Sequence, residues 1–116
     1  MVKDRIGAFI TSAGLLNVTL HRKRILELPE QNRMPSISAT QQWIADGGLM
    51  YYGANIPDSY RRAATFVDRI LKGAKPADLP VERPIKYVFG INLKTAKQLG
   101  LTIPPNVLAR ADLVIR

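Results

Sequence analysis

Gly47-Gly48-Leu49-Met50-Tyr51-Tyr52-Gly53-Ala54-Asn55-Ile56-Pro57-Asp58-Ser59-Tyr60, running on through Arg61 to Lys72 and Gly73, is the stretch whose reading decides the fold of this chain. Its glycine pair breaks the preceding segment, and Leu49 to Tyr52 follows as a short strand ending at Gly53. A helix over 57–72 comes next. Tyr60, Ala63, Ala64, Val67, Ile70 and Leu71 recur at the i, i+3, i+4, i+7 spacing of one buried helical face. Asn55 is placed to cap that helix, Pro57 suits its first turn, and Asp58 meets the positive end of its dipole. Gly73 can adopt the left-handed terminating conformation.

Working outward toward the N-terminus, Ile6 to Thr11 resembles a buried strand. Ala13-Gly14 turns the chain, and Asn17 offers the cap of a helix through about Gln31. Pro29 removes a backbone donor inside that helix, so a kink or an end near Leu28 is expected. Ser36 to Ala39 fits a second strand, with one or two helical turns over residues 41–45. Toward the C-terminus, the three prolines between Ala74 and Pro84 mark an ordered connector. Ile85, Tyr87, Phe89 and Ile91 then alternate as a strand with one buried face. Asn92 caps a two-turn helix from Leu93 to Leu99 that Gly100 stops, and Pro104-Pro105-Asn106 introduces a final helix to about Ile115. Strands alternating with helices imply an α/β fold, a mainly parallel sheet flanked by helices, because parallel neighbours need crossover connections.

The length of 116 residues sets an expectation of one domain, residues 1–116. No cysteine is present, which excludes disulfides and thiolate metal sites. No apolar run approaches the roughly 20 residues that cross a bilayer. The N-terminal apolar run is cut by Thr11-Ser12, short of the about 7 to 15 residues of a signal peptide, so none is expected and the chain as it stands would be cytoplasmic. The formal charge of +8 is uneven: residues 1–58 hold six Lys/Arg against five Asp/Glu, and residues 59–116 hold eleven against four. A basic half can attract nucleic acid, an anionic membrane or acidic partners. The plainer reading makes Arg61, Arg62, Arg69, Lys72 and Lys75 the solvated side of a helix.

No catalytic constellation stands out, and the chain is not expected to be an enzyme. His21, the lone histidine, lies in His21-Arg22-Lys23-Arg24 with no metal-ligand or triad spacing around it, so it fits a helix surface. The carboxylate pairs Asp46/Asp58 and Glu27/Glu30 show nothing that would split their pKa values for acid–base work. Ser12, Ser36 and Ser38 lack a nucleophile-elbow context. No metal or cofactor is implied. Trp43 and Tyr51-Tyr52 could stack on a ligand ring. Alternation sends the two tyrosines to opposite faces, leaving Tyr52 as the one nearer the strand end. Ligands of open α/β sheets meet the carboxyl ends of strands, a rule that selects Thr11 to Gly14, Ser38 to Gln41 and Tyr52 to Asn55. The candidate ligand-binding residues are therefore Ser12, Ser38, Thr40, Gln41, Tyr52 and Asn55, neutral groups suited to a small polar or zwitterionic solute.

From Gly47 to the end, GGLMYYGANIPDSYRRAATFVDRILKGAKPADLPVE followed by INLKTAKQLGLTIPPNVLARADLVI resembles the ABC-transporter substrate-binding proteins whose members include binders of tryptophan and tyrosine. His21-Arg22-Lys23-Arg24-Ile25 and Asn32-Arg33-Met34-Pro35 extend the resemblance more loosely. Ala13-Gly14-Leu15-Leu16 and Pro29 depart from it. The resemblance implies the C-terminal lobe of a type I periplasmic binding protein, an incomplete domain whose N-terminal lobe and signal segment are absent. It implies a solute-binding component of an importer, truncated here, with an amino-acid-like ligand, an ABC permease as partner and a periplasmic location. It also implies that the 57–72 helix packs on the missing lobe, so that its uncovered face here would drive a homo-oligomer. A small basic nucleic-acid-binding protein is the alternative.

Overall fold

Five strands, β1 (Phe9–Thr11), β2 (Ser36–Ser38), β3 (Met50–Ala54), β4 (Tyr87–Asn92) and β5 (Leu113–Ile115), form one sheet in that order. The computed structural model describes residues 6–12 and 20–116. The Ala13-Gly14 turn, the Asn17 cap and the first five residues lie outside the described residues. β1 pairs parallel with β2, β2 with β3, and β4 with β5. Between β3 and β4, Asn92 N–H donates to the Leu49 carbonyl and Asn55 N–H to the Lys86 carbonyl, both at 2.9 Å. The numbering falls along one strand as it rises along the other, so this pair is antiparallel in an otherwise parallel sheet.

The chain divides into two compact units, Met1–Gly53 with Val88–Arg116, and Ala54–Tyr87. The first holds the sheet, α1 (Arg22–Gln31), α2 (Gln42–Ala45), α4 (Leu93–Gln98) and α5 (Pro105–Leu108). Its core is Leu26, Trp43, Ile44, Leu49, Tyr51, Ile91 and Ala96, all buried. Phe9 stacks on Trp43 with ring centroids 6.2 Å apart. The Trp43 indole N–H donates to Ser36 Oγ at 3.1 Å, and the same oxygen accepts Leu49 N–H at 3.3 Å. Trp43 is thus a satisfied core residue and not the ligand-stacking ring the sequence allowed: an indole with its polar edge bonded inside the fold has no face left for solute.

α4 starts where Asn92 Oδ1 accepts the Thr95 N–H at 3.1 Å. The same side chain donates from Nδ2 to the Ile44 carbonyl at 3.0 Å, so one buried amide both caps a helix and ties it to α2. α1 ends at Gln31, as its pattern predicts, and not early at Leu28. Pro29 lies inside it, buried, and the helix continues to Gln31. Proline forfeits only one intrahelical bond this near the C-terminus, and its ring is packed away from water. The helix then closes with Arg33 N–H on the Glu30 carbonyl and Met34 N–H on the Pro29 carbonyl, a Schellman arrangement that places Arg33 at φ +50°.

Three further expectations are corrected. The first strand is Phe9–Thr11 alone, at the sheet edge, with Ile10 78% exposed, because only β2 covers it. β4 begins at Tyr87 and does not alternate: it grades from an exposed Tyr87 to Gly90, Ile91 and Asn92, all buried, as neighbours on both edges and both faces close over it. The final helix stops at Leu108, and Leu113–Ile115 forms a strand instead. The Asp112 carboxylate accepts Phe89 N–H while Asp112 N–H donates to the Phe89 carbonyl, each at 2.8 Å, which starts the parallel pairing with β4.

The second unit is α3 (Ile56–Leu71) with a connector that includes a 3-10 turn at Pro76–Asp78. The sequence-based helix stands within a residue at each end. Asn55 Oδ1 accepts Asp58 N–H at 3.0 Å, and Gly73, at φ +100°, makes the terminating turn that a Cβ would strain. Its burial differs. None of its residues is buried, and Tyr60, Val67 and Leu71 are 74%, 55% and 81% exposed. Half-buried Ser59, Arg62 and Phe66 lie along the side that faces Pro80, Glu82 and Pro84 of the connector. Arg62 pairs with Glu82, and Lys86 reaches Asp58 at 3.1 Å. The connector covers the Ser59, Arg62 and Phe66 side of the helix, while Tyr60, Val67 and Leu71 have no cover among the described residues of this unit.

Candidate functional site

The parallel strands β1 and β2 end side by side, in register at Thr11 and Ser38. There the Thr11 hydroxyl donates to Ser38 Oγ at 2.9 Å, and Thr40 N–H donates to the same oxygen at 3.1 Å. Ser38 is 1% exposed, so its hydroxyl is a joint that fixes the two strand ends and the following turn. Two acceptor positions of that oxygen are used, which leaves its proton as a donor. Thr40 is half-buried, and Ser12 and Gln41, on either side of the joint, are exposed. Gln41 precedes α2 without a side-chain capping bond.

Tyr52 lies on β3, one residue beyond the Ser38–Tyr51 register pair. Its neighbour Tyr51 is buried and Tyr52 is 54% exposed, the opposite-face arrangement expected of a strand. Phe89 meets the Tyr52 ring edge-on, with centroids 6.5 Å apart, which holds the ring upright. Burial pushes the Tyr51 phenol above its usual range, because a phenolate would lose its hydration there. Asn55 belongs to the other unit, where its side-chain oxygen is engaged as the α3 cap.

Of the six residues selected from sequence, the structure brings Ser12, Ser38, Thr40 and Gln41 to neighbouring strand ends, with Tyr52 on the next strand but one from β1. Thr11 was missed as an individual residue. Its signal was the alternation of hydroxyls at Ser36, Ser38 and Thr40 opposite Thr11-Ser12, a pattern that hydrogen-bonds across a parallel pair. The lining is neutral. Asp46 pairs with Arg22, Asp58 with Lys86, and His21 is exposed. Among the described residues no group of His, Cys, Asp and Glu could hold a metal ion. Of the basic side chains proposed as a solvated helix face, Arg61, Arg62 and Lys72 have carboxylate partners. No helix among the described residues is long and apolar enough to cross a membrane.

A sheet of this topology with a hydrogen-bonding rim at its carboxyl ends is the frame of a periplasmic-binding-protein-like lobe. The chain belongs to the family described as ABC transporter substrate binding protein, whose model matches residues 2–115. Two solved structures above one-quarter identity are similar to it. One is the ABC domain in complex with L-Trp from Streptococcus pneumonia, at 26% identity and a TM-score of 0.87, covering 98% of this chain and 38% of that one. The other is a conserved domain protein from Vibrio cholerae, at 27% identity and a TM-score of 0.80, covering 90% of this chain and 36% of that one. The ligand-free, open structure of a Clostridium difficile substrate binding protein with adhesive properties shares the fold at 20% identity and a TM-score of 0.70, covering 97% of this chain and 37% of that one. This chain therefore spans little more than a third of the length of the solved structures it matches. None of the curated proteins matches it in sequence. The family does not favour the nucleic-acid alternative.

Proposed function

We propose that this chain serves the solute-binding component of an ABC-type importer and supplies one wall of a site for a small amino-acid-like solute. The observation that carries this reading is the neutral hydroxyl joint at the carboxyl ends of β1 and β2, in a chain that the family model matches nearly end to end. Ser12, Thr40 and Gln41 offer donors and acceptors to the polar end of a solute. Tyr52 offers a ring face held by Phe89. Ser38 sets the geometry of the others. The L-Trp held by the pneumococcal relative supports an amino-acid ligand.

The role is binding without catalysis, outside the cytoplasm, with a permease as the partner of the closed, loaded form. Closure needs a solute that contacts both lobes, and the facing wall would come from the remaining length that the relatives possess. The single domain expected from sequence is in this reading an incomplete one: the sheet unit is one lobe, and α3 is the element that docks on the other. With its stripe uncovered, the chain by itself self-associates through Tyr60, Val67 and Leu71.

Isothermal titration of the chain with the standard amino acids tests the site. Aromatic amino acids are expected to bind weakly, with little dependence on salt, and Tyr52→Ala or Thr40→Val to weaken that binding. Silence toward every amino acid would sink the reading. Binding of an oligonucleotide that weakens steeply with salt would favour the alternative instead.

A further inference from the structure

We infer that the sheet unit carries a second small-molecule site, at the end of β2 opposite the hydroxyl joint, for a zwitterion with an apolar side chain. A cavity of about 320 Å³ opens there between the C-terminal turn of α1, the loop into β2 and the outer turn of α4. That volume lies at the lower end of small-ligand sites, roughly 300–1,000 Å³. Its apolar surface comes from Leu26 and Pro29, both buried, and from half-buried Met34 and Leu99.

Two opposite charges stand on the same cavity, Glu30 and Arg33. Neither has an ion-pair partner among the described residues. Ser36 and Thr95, which also line the cavity, are buried and bonded within the fold: Ser36 Oγ accepts two bonds and keeps only its proton as a donor, and the Thr95 hydroxyl donates to the Gly47 carbonyl at 2.7 Å. The charged groups available to a ligand are one carboxylate and one guanidinium, over an apolar floor, with the exposed Gln98 carboxamide beside them. An ammonium and a carboxylate on a single carbon, with a side chain to lay on Leu26 and Leu99, complement that set.

Backbone geometry favours the same reading. Arg33 holds φ +50° at the terminating position of α1, where glycine is the usual occupant. It is the sole non-glycine residue with positive φ among the described residues, and the left-handed conformation costs any residue with a Cβ about 1 kcal/mol. An ordinary helix end needs no arginine there; a guanidinium directed to a ligand accounts for one. Across the cavity, a Cβ on Gly47 would come 3.0 Å from Glu30 Oε1, so the glycine leaves the carboxylate its place.

The site is tested by titrating the 15N-labelled chain with L-leucine, isovalerate and isoamylamine while following backbone amides. L-leucine is expected to shift Gly47, Gln98 and Leu99, with a dissociation constant of about 1 mM, and each singly charged analogue to bind at least roughly tenfold more weakly. Arg33→Gly, which suits the backbone, and Glu30→Gln should each abolish those shifts. Ser38→Ala, at the other end of the strand, should leave them intact, which separates this site from the cleft. Absence of shifts at Gly47 and Leu99, or shifts that survive in both Arg33→Gly and Glu30→Gln, overturns the proposal.

Discussion

The sheet unit and the α3 unit are built from signals of opposite kinds. In the sheet unit the elements are short: β1, β2 and β5 have three residues each and α2 has four. Yet it contains every buried side chain of the core. The α3 unit has the longest and best-capped helix, sixteen residues, and buries none of them. Local sequence can thus write a helix without supplying what covers it, while a core can be assembled from pieces too short to stand alone. A helix of this length is marginal in water by itself, so the two units should differ sharply in how strongly they resist opening.

The largest test removes the centre of the core. Trp43→Ala deletes a ring with no exposed surface, its stack on Phe9 and its bond to Ser36, and should destabilise the chain by about 3–5 kcal/mol. For a domain of this size that is a large share of the total stability. Urea denaturation followed by tryptophan-independent circular dichroism gives the loss. Hydrogen exchange then sharpens the comparison: protection at Ile91 should collapse, while the α3 amides, weakly protected to begin with, should change little. Strong protection of α3 in the parent chain would erase the distinction between the units.

A matched pair of caps offers a finer test. Asn55 and Asn92 do the same job at the start of α3 and α4, at 3.0 and 3.1 Å. Asn55→Ala should cost about 1 kcal/mol, the usual loss of an N-cap. Asn92 is buried and also holds the Ile44 carbonyl, so Asn92→Ala leaves that acceptor without its donor and adds about 1–3 kcal/mol. Equal effects in thermal denaturation would show that burial does not distinguish these two positions.

The caps also show how far sequence alone could go. Asn55, Asn92, Gly73 and Gly100 act within one or two turns, so their neighbours in sequence are their neighbours in space, and both helices end where those residues predict. β5 was out of reach because Ala109 to Ile115 is helix-compatible by itself; its strand state is made by Asp112 bonding to Phe89, 23 positions away. The early end expected at Leu28 failed for the same reason, since the Pro29 ring is packed by residues distant from its own turn. The rule that ligands gather at strand carboxyl ends selected the Ser12 and Ser38 to Gln41 segments, and the pairing of β1 with β2 brings these to neighbouring strand ends. Whether a given hydroxyl faces solvent or, like Ser38, locks two strands together is decided by register, which periodicity does not supply.

Alkaline pH probes the sheet unit through one group. Tyr51 has its pKa raised by burial in the folded chain, above the unfolded value near 10. The folded state therefore keeps a proton that the unfolded state has released, and the associated stability is complete below about pH 10 and declines as pH rises toward the folded pKa. Tyr51→Phe should flatten that decline relative to the parent, measured by urea midpoints on both sides of pH 10. An unchanged slope would mean that Tyr51 ionises in the folded chain as readily as in the unfolded one.

The smallest expected effect on stability belongs to the α3 stripe, and its smallness is what makes it informative. Leu71→Gln and Val67→Gln alter side chains that are mostly exposed, so monomer stability should move by no more than about 0.5 kcal/mol in either direction. Size-exclusion chromatography with light scattering should nevertheless respond, because the stripe is the surface through which self-association is proposed: the parent should be larger than a monomer at micromolar concentration and the double variant should not. A parent chain that is monomeric, with a double variant that loses several kcal/mol, would reverse the argument. The stripe would then be buried in the chain's own fold in solution, and the contrast between a covered sheet and an uncovered helix would fail at its weaker end.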